Sequence, residues 1–324
     1  MAVYTKINPG ELQVFLSQYQ LGEVLEVTEI PEGVENSNYR LHTEQGRFIL
    51  TIFERRVARN DLPFFLSLMG FLSAEGICCP VPILSNDGQA LGQLCGKPAA
   101  VLSYLPGTSV VQPSLKHCSA VGSLLANVHN AGISFPGRRS NSLSLKDWPI
   151  LLKQIGPDGD LVSPGIGADL QNEIQYLGRN WPGSLPQGVI HGDLFPDNVL
   201  FFNGAISGVI DFYFSCQDFF AYDLSVCINA WAFDDNQALD RRRCESLIDG
   251  YCNKRLLTQK EYELLPILCR GSALRFLLTR LYDHINVPAE MIGVTKDPLE
   301  YYRKLHFHRH VTDVADYGYC YKNE

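Results

Sequence analysis

Apolar and polar positions change their period along this chain, and the change divides it. Asn8-Pro9-Gly10-Glu11 has the order of a cap, a first-turn proline and an acid near the helix start, which predicts a helix to about Gln20, stopped by Gly22. Residues 23–30 then alternate, with Leu25 and Val27 on one face and Glu26 and Thr28 on the other, as a strand would. A polar loop, Pro31–Asn36, leads to two further strands near Ser37–Thr43 and Arg47–Phe53, joined by a tight turn at Glu44-Gln45-Gly46. Phe64, Phe65, Leu68 and Leu72 recur at helical spacing within 61–75, and Gly76 ends that stripe. Asn86-Asp87-Gly88 reads as a hairpin turn, with Ala99–Tyr104 as the strand after it.

Beyond Leu105-Pro106-Gly107, which reads as a connection, the helical period dominates. Leu115, Cys118, Val121, Leu125 and Val128 form one stripe in 114–130, and 262–284 reads as one or two long helices. The expected fold class is therefore α+β in two lobes, a small β-rich lobe over 1–104 and a larger α-rich lobe over 105–324. No internal repeat or low-complexity segment interrupts that outline.

Composition narrows the function classes. The 324 residues carry 27 basic against 35 acidic side chains, a net charge of −8, and no basic stretch is long enough to track a phosphate backbone, so nucleic acid is not an expected partner. The uncharged runs Pro98–Leu115 and Cys118–Gly137 are interrupted by polar residues and glycine, so no membrane span is expected. Glu11 stands where a secretion signal would need its apolar centre. The ten cysteines form no C-x-x-C and read as reduced thiols of a cytoplasmic protein, monomeric or homodimeric.

The richest stretch is Val189–Phe202, where an apolar run enters the polar loop His191-Gly192-Asp193-Leu194-Phe195-Pro196-Asp197-Asn198 and leaves as another apolar run. Asn203-Gly204 follows as a two-residue hairpin turn, then Ala205–Ile210 and Asp211. Counting back from the turn opposes Asn198 to Val209, which puts Asn198 and Asp211 at the open end of one hairpin, with Asp193 in the loop that feeds it. Amide and carboxylate oxygens so arranged suit Mg²⁺, and a further carboxylate nearby suits the base that takes a proton from a hydroxyl. Phosphoryl transfer is the chemistry such a set serves.

His191-Gly192-Asp193 with Asn198, followed by Ile210-Asp211-Phe212 and Tyr222-Asp223-Leu224, resembles the aminoglycoside-phosphotransferase branch of the protein-kinase-like fold. Across most of its length the chain is similar to the kinase-fold type of homoserine kinase. That likeness is carried by Gly33–Tyr39, Leu50–Glu54, Gly96–Ala100, Arg270–Phe276, Thr279–Asp283 and Lys296–Tyr301. The resemblance implies ATP and Mg²⁺ as cofactors, L-homoserine as the small-molecule substrate, and O-phospho-L-homoserine as the product on the way to threonine. It makes Asp193 the catalytic base and Asn198 and Asp211 the metal ligands. Gly33, Asn36, Ser37 and Asn38 would cover the phosphates, and Leu102, Tyr104 and Leu105 would hold adenine. Thr51 stands where the wider kinase pattern has a phosphate-gripping lysine, a departure shared by this type of homoserine kinase, and the cation is left unassigned. Homoserine is a zwitterion, so its pocket needs both signs of charge. Arg280 and Asp283, on one helical face, are the expected pair, with Arg275 in reserve.

Other readings stay open at this point. A kinase for choline, a sugar or an aminoglycoside would share the loop, and a pseudokinase would account for Thr51. His191 is expected to orient backbone, Asp197 to cap a helix or occupy a turn, and Asp223 to cap the helix that opens at Leu224. His306, His308 and His310, flanked by Arg303, Lys304 and Arg309, read as a solvated basic end. Gly92–Lys97 imitates a P-loop but has three residues between its glycines and Pro98 where Ser or Thr is required.

Overall fold

The computed structural model describes residues 4–31, 36–54, 57–286 and 296–319. Contacts divide the chain into two compact units, one containing the chain up to Gly107 together with Ser207–Tyr213, the other most of the remainder.

The first unit is built on a five-stranded antiparallel sheet. Helix α1 (Pro9–Leu16) starts under the Asn8 cap and is followed by β1 (Val24–Ile30), β2 (Asn36–Thr43) and β3 (Gly46–Phe53). Then come α2 (Leu62–Ala74), β4 (Gly92–Leu94) and β5 (Lys97–Ser103), in the sheet order β1-β2-β3-β5-β4. α1 ends earlier than the sequence predicts. Gln18 and Tyr19 donate to the carbonyls three residues back, which tightens the chain into a turn before Gln20. Asn86–Gly88 does form a turn, closed on Ser85 and Gln89, but the hairpin into β5 is made by Cys95-Gly96, both with positive φ.

Strand alternation sorts this sheet into two faces. Tyr39, Leu41, Leu50, Ile52, Ala99 and Val101 bury one face against Leu12, Phe15 and Leu16 of α1. The other face carries Asn38, Thr51 and Ala100, which lie side by side in register across β2, β3 and β5. On it Phe53 meets the edges of Phe65 and Tyr213.

The second unit is mainly helical. Its elements are α3 (Leu115–Gly132), α4 (Trp148–Ile155), α5 (Gly159–Val162), α6 (Ile166–Asn180), β6 (Gln187–Ile190) and β7 (Val199–Phe202). They continue with β8 (Ala205–Val209), β9 (Cys216–Phe219), α7 (Phe220–Trp231), α8 (Arg241–Cys252), α9 (Gln259–Asn286) and α10 (Pro298–Arg309). β6 pairs with β9, and β7 with β8 through Asn203-Gly204, whose positive φ angles of 52° and 79° fit the expected hairpin turn; the division into units passes through β8. The expected long stripe over 262–284 is one helix, α9, which contains Pro266. α3 and α8 meet backbone to backbone: a Cβ on Gly122 would lie 2.0 Å from the Leu247 carbonyl, and one on Gly250 2.1 Å from that of Ser119.

The expected solvated basic end is solvated only in part: Arg303, His306 and His310 are exposed, whereas Lys304 and His308 are not. Lys304 and His308 lie on the buried stripe of α10, with Lys304 bonded to Glu300 and the Asn229 carbonyl and His308 between Tyr317 and Asn229. Arg309 is paired with Asp169 and Glu173. One face of this helix end is wet, as expected, and the buried members of the other are satisfied by partners inside.

Candidate active site

The His191–Asn198 loop leaves β6 and is fixed almost wholly through its backbone. Asp223 of α7, fully buried, accepts the N–H groups of His191 (2.7 Å) and Gly192 (2.8 Å) and also bonds His129 Nε2 (3.0 Å). Arg275 of α9 donates to the Gly192 carbonyl (3.0 Å), and Trp231 Nε1 donates to that of Leu194 (2.8 Å). Gly192 has φ +76°, and a Cβ there would sit 3.0 Å from the Phe214 carbonyl, so glycine is required on both counts. His191 orients the turn as expected, its Nδ1 accepting the Asp193 N–H (3.2 Å).

Asp223 was expected to cap a helix, and that reading is corrected here. Burial alone would raise its carboxyl. The hydrogen bond from His129 and the backbone N–H groups outweigh this and hold it below the usual carboxylate range, so it is an anion that anchors the loop. Behind it stands a relay. Arg255 donates to the Tyr251 hydroxyl, Tyr251 bonds His129 Nδ1 (2.8 Å), and burial keeps His129 neutral so that Nε2–H points at Asp223. His129 and Tyr251 carried no motif in the sequence. The only available signal was that a histidine falls on the buried stripe of α3.

So held, the loop presents Asp193 and Asn198 together. Asn198 Nδ2 donates to the Asp193 carbonyl (2.8 Å) and to its Oδ2 (3.2 Å), which leaves Asn198 Oδ1 as the atom suited to a cation. Burial pushes the Asp193 carboxyl up, and Arg275, 3.7 Å away, acts against that push. Asp197 lies in the single 3₁₀ turn Pro196–Asn198, a turn position as expected though not a helix cap, and its exposed carboxylate pairs with Lys296 at 2.9 Å. Asp211, in the first unit, follows β8 with φ +65°, a left-handed conformation that a non-glycine residue adopts only when its surroundings hold it there.

The expected substrate groups are placed differently from the sequence reading. Arg275 is spent on the loop, its guanidinium stacked on Phe276 at 3.9 Å. Arg280 donates to Glu300 (2.6 Å) and to the Asp297 carbonyl, and stacks on Tyr301. Asp283 lies near the end of α9, and the Arg280 charge is answered by Glu300 of α10. That acid cannot be found from spacing on α9. Burial would raise the Glu300 carboxyl, but Lys304 and Arg280 hold it low. Glu300 and Lys304 open onto a cleft of about 530 Å³ that also includes Pro196 of the loop, Asp234 and Arg243.

In the first unit, Gly33 lies outside the described residues. Ser37 points to the α1 face: its Oγ accepts the Tyr4 and Thr5 N–H groups and donates to Glu54, which also pairs with Lys97. Asn36 is buried and accepts from the Glu54 N–H. Asn38 is on the opposite face, where the Thr51 hydroxyl donates to its Oδ1 (2.8 Å). Lys97 is thus on the wrong face to replace a lysine at Thr51. Leu102 lies on the Asn38 face, Arg47 stacks over Tyr104, and Leu105 packs on Gly208, where a Cβ would meet it at 2.5 Å.

Known proteins agree with this architecture. The phosphotransferase enzyme family matches residues 26–256. A homoserine kinase from Nitrobacter hamburgensis is 51% identical over 318 residues, 98% of each chain, and one from Brucella canis is 49% identical over the same span. Among solved structures, a microcompartment-associated aminopropanol kinase superposes with a TM-score of 0.71 at 17% identity, over 93% of this chain and 97% of that one. A choline kinase from Cryptosporidium parvum does so at 0.67 and 15%, over 95% and 96%. With near-half identity over the full length and the kinase-like fold beneath it, the chain belongs to the homoserine kinases of the phosphotransferase enzyme family.

Proposed function

We propose that this enzyme transfers the γ-phosphoryl group of ATP to the side-chain hydroxyl of L-homoserine, with Asp193 as the base that takes the hydroxyl proton. The observation that carries this reading is the loop itself: its backbone is held by Asp223, Arg275 and Trp231, and its Asp193 carboxylate is paired with Asn198. A base fixed in this way costs little to reorganise when the hydroxyl arrives.

Asn198 and Asp211 are the oxygen donors assigned to Mg²⁺. Hard oxygens suit that ion, and an amide with its nitrogen already committed offers it an oxygen only. Mg²⁺·ATP supplies the phosphoryl group and counters its developing charge. The first unit is assigned to the nucleotide, with Asn38, Thr51, Leu102, Tyr104 and Leu105 on or beside the face that serves it.

Homoserine is assigned to the cleft beside Pro196 in place of Arg275, Arg280 and Asp283. Glu300 and Asp234 provide carboxylates for the ammonium, and Lys304 and Arg243 provide cations for the carboxylate. Arg280 acts there by fixing Glu300. A cytoplasmic location belongs to the same reading, since the cysteines among the described residues are free thiols.

The test is ADP release by purified protein with L-homoserine, choline, ethanolamine and an aminoglycoside offered in turn. Homoserine alone should support turnover, and Asp193→Asn should lower kcat by about 10²–10⁴ with ATP binding retained. Turnover with another acceptor and none with homoserine would overturn the substrate, and an unimpaired Asp193→Asn would overturn the base.

A further inference from the structure

The second unit contains another cavity, of about 290 Å³, lined by Trp148, Trp181, Phe219 and Tyr222, with Asp218 in its wall and Lys146 at its edge. It is separate from the loop. Asp218 pairs with Gly188 at the end of the β6–β9 ladder away from the catalytic turn, three residues before His191, or about 10 Å along the strand. None of the roles argued above uses it.

Three features give this cavity a chemistry. The rings are set edge to face, Trp148 to Trp181 at 5.3 Å and Trp181 to Tyr222 at 6.0 Å, with Trp148 fully buried behind and Trp181 and Phe219 the partly exposed rings that offer a face to the cavity. Asp218 is held in place, its Oδ2 accepting from Asn141 Nδ2 (2.7 Å) and its Oδ1 from the Phe219 N–H (2.7 Å), bonds that leave further acceptor capacity on both oxygens. The Tyr222 hydroxyl is buried and has no hydrogen-bond partner among the described residues. A buried hydroxyl left in that state costs stability unless something fills the gap.

We propose that this cavity is a second ligand site, for a compact organic ammonium held by the aromatic faces and the Asp218 carboxylate, with the Tyr222 hydroxyl accepting one of its N–H groups. Aromatic walls with a single carboxylate favour a cation over a neutral molecule of the same shape. The volume admits a group of a few carbons. A ligand there would rest against β9, which is paired to the strand that leads into the catalytic loop.

The test is a titration followed by tryptophan fluorescence, since Trp148 and Trp181 line the site. The probes are methylammonium, tetramethylammonium and the neutral tert-butanol, at constant ionic strength set with sodium chloride. Both ammonium probes should give a saturable change that L-homoserine does not displace, and tert-butanol should give none. Asp218→Asn should raise both dissociation constants by about 10- to 100-fold, the loss of one charged contact. Tyr222→Phe should weaken methylammonium, which has N–H groups to donate, and spare tetramethylammonium, which has none. It should also raise Tm of the ligand-free protein, which shows that the variant folds and that the hydroxyl was unsatisfied. Equal binding of tert-butanol, displacement by homoserine, or identical behaviour of the two ammonium ions in Tyr222→Phe would each overturn the proposal. Should Asp218→Asn fail to fold, the Tyr222→Phe comparison decides the matter alone.

Discussion

The His191–Asn198 loop and the strand ends around Ser37, Asn38 and Thr51 are both short polar stretches beside apolar strands, yet they are fixed by opposite means. In the loop, distant side chains hold the backbone: Asp223 takes two N–H groups, and Arg275 and Trp231 each supply a donor to a carbonyl. The loop's own Asp193 and Asn198 side chains are thereby left to each other and to what binds. In the strands the ladder already satisfies the backbone, and alternation decides everything else. Ser37 is drawn to the α1 face with Glu54 and Lys97, and its neighbour Asn38 to the face of Thr51. The lesson is that adjacent polar residues share a role in a captured loop and are parted by a strand.

The largest effect should come from the carboxylate that captures the loop. Asp223→Asn replaces an acceptor of three N–H groups with a side chain that is half donor, and leaves a loop N–H facing an NH₂ group. Denaturant unfolding should show a loss of about 3–5 kcal/mol, the range for breaking a buried ionic contact, and kcat should fall by more than about 10²-fold. A stable, active Asp223→Asn would break the claim that the loop is held from outside.

Arg275→Met comes next. It keeps the packing on Phe276 but removes the donor to Gly192, and kcat should drop by about 10- to 100-fold while KM for homoserine stays within about twofold. Arg275→Lys should recover only part of the rate, since a point cation does not reproduce the stacked, planar fork. A change confined to KM would return Arg275 to the substrate role that its sequence position suggested.

The strand half of the comparison is sharpened by neighbours. Ser37→Ala should cost about 1–3 kcal/mol of stability, because the N–H groups of Tyr4 and Thr5 and the Glu54 carboxylate lose a partner, with KM for ATP unchanged. Asn38→Ala should be milder in stability but raise KM for ATP by about 3- to 10-fold. Equal kinetic effects at both positions would mean that alternation does not separate them.

The most remote expected effect concerns how far the loop's support extends. His308 of α10 bonds Asn229 of α7, the helix that also carries Asp223 and Trp231. Burial pushes His308 down to about 3, against about 6.5 in the unfolded chain. Between those values the unfolded chain takes up a proton that the folded one refuses. The contribution is therefore complete above pH 6.5 and is lost as pH falls toward 3. Tm should drop more steeply for the parent than for His308→Gln between pH 7 and 4.5. Parallel curves would place the loop's support within α7 and α9.

The sequence by itself determined the strand-rich and helix-rich halves, the Asn203-Gly204 hairpin, and the loop with Asp193 and Asn198. These are local: periods of two and 3.6, a turn dipeptide, and residues five apart in one loop need nothing from the rest of the chain. It could also name the family, because each of the matching segments is contiguous in the chain even though the segments are far apart. Tertiary structure alone decided which residues serve that loop. Asp223 and Arg275 reach it from helices 31 and 83 positions away, and His129, Tyr251 and Glu300 gain their meaning from partners on other elements. Arg280 shows why spacing could not suffice. Three residues along one helix place Asp283 on the same face, but a buried guanidinium goes to the acid that packing brings into bonding range, and that acid is Glu300, on a different helix.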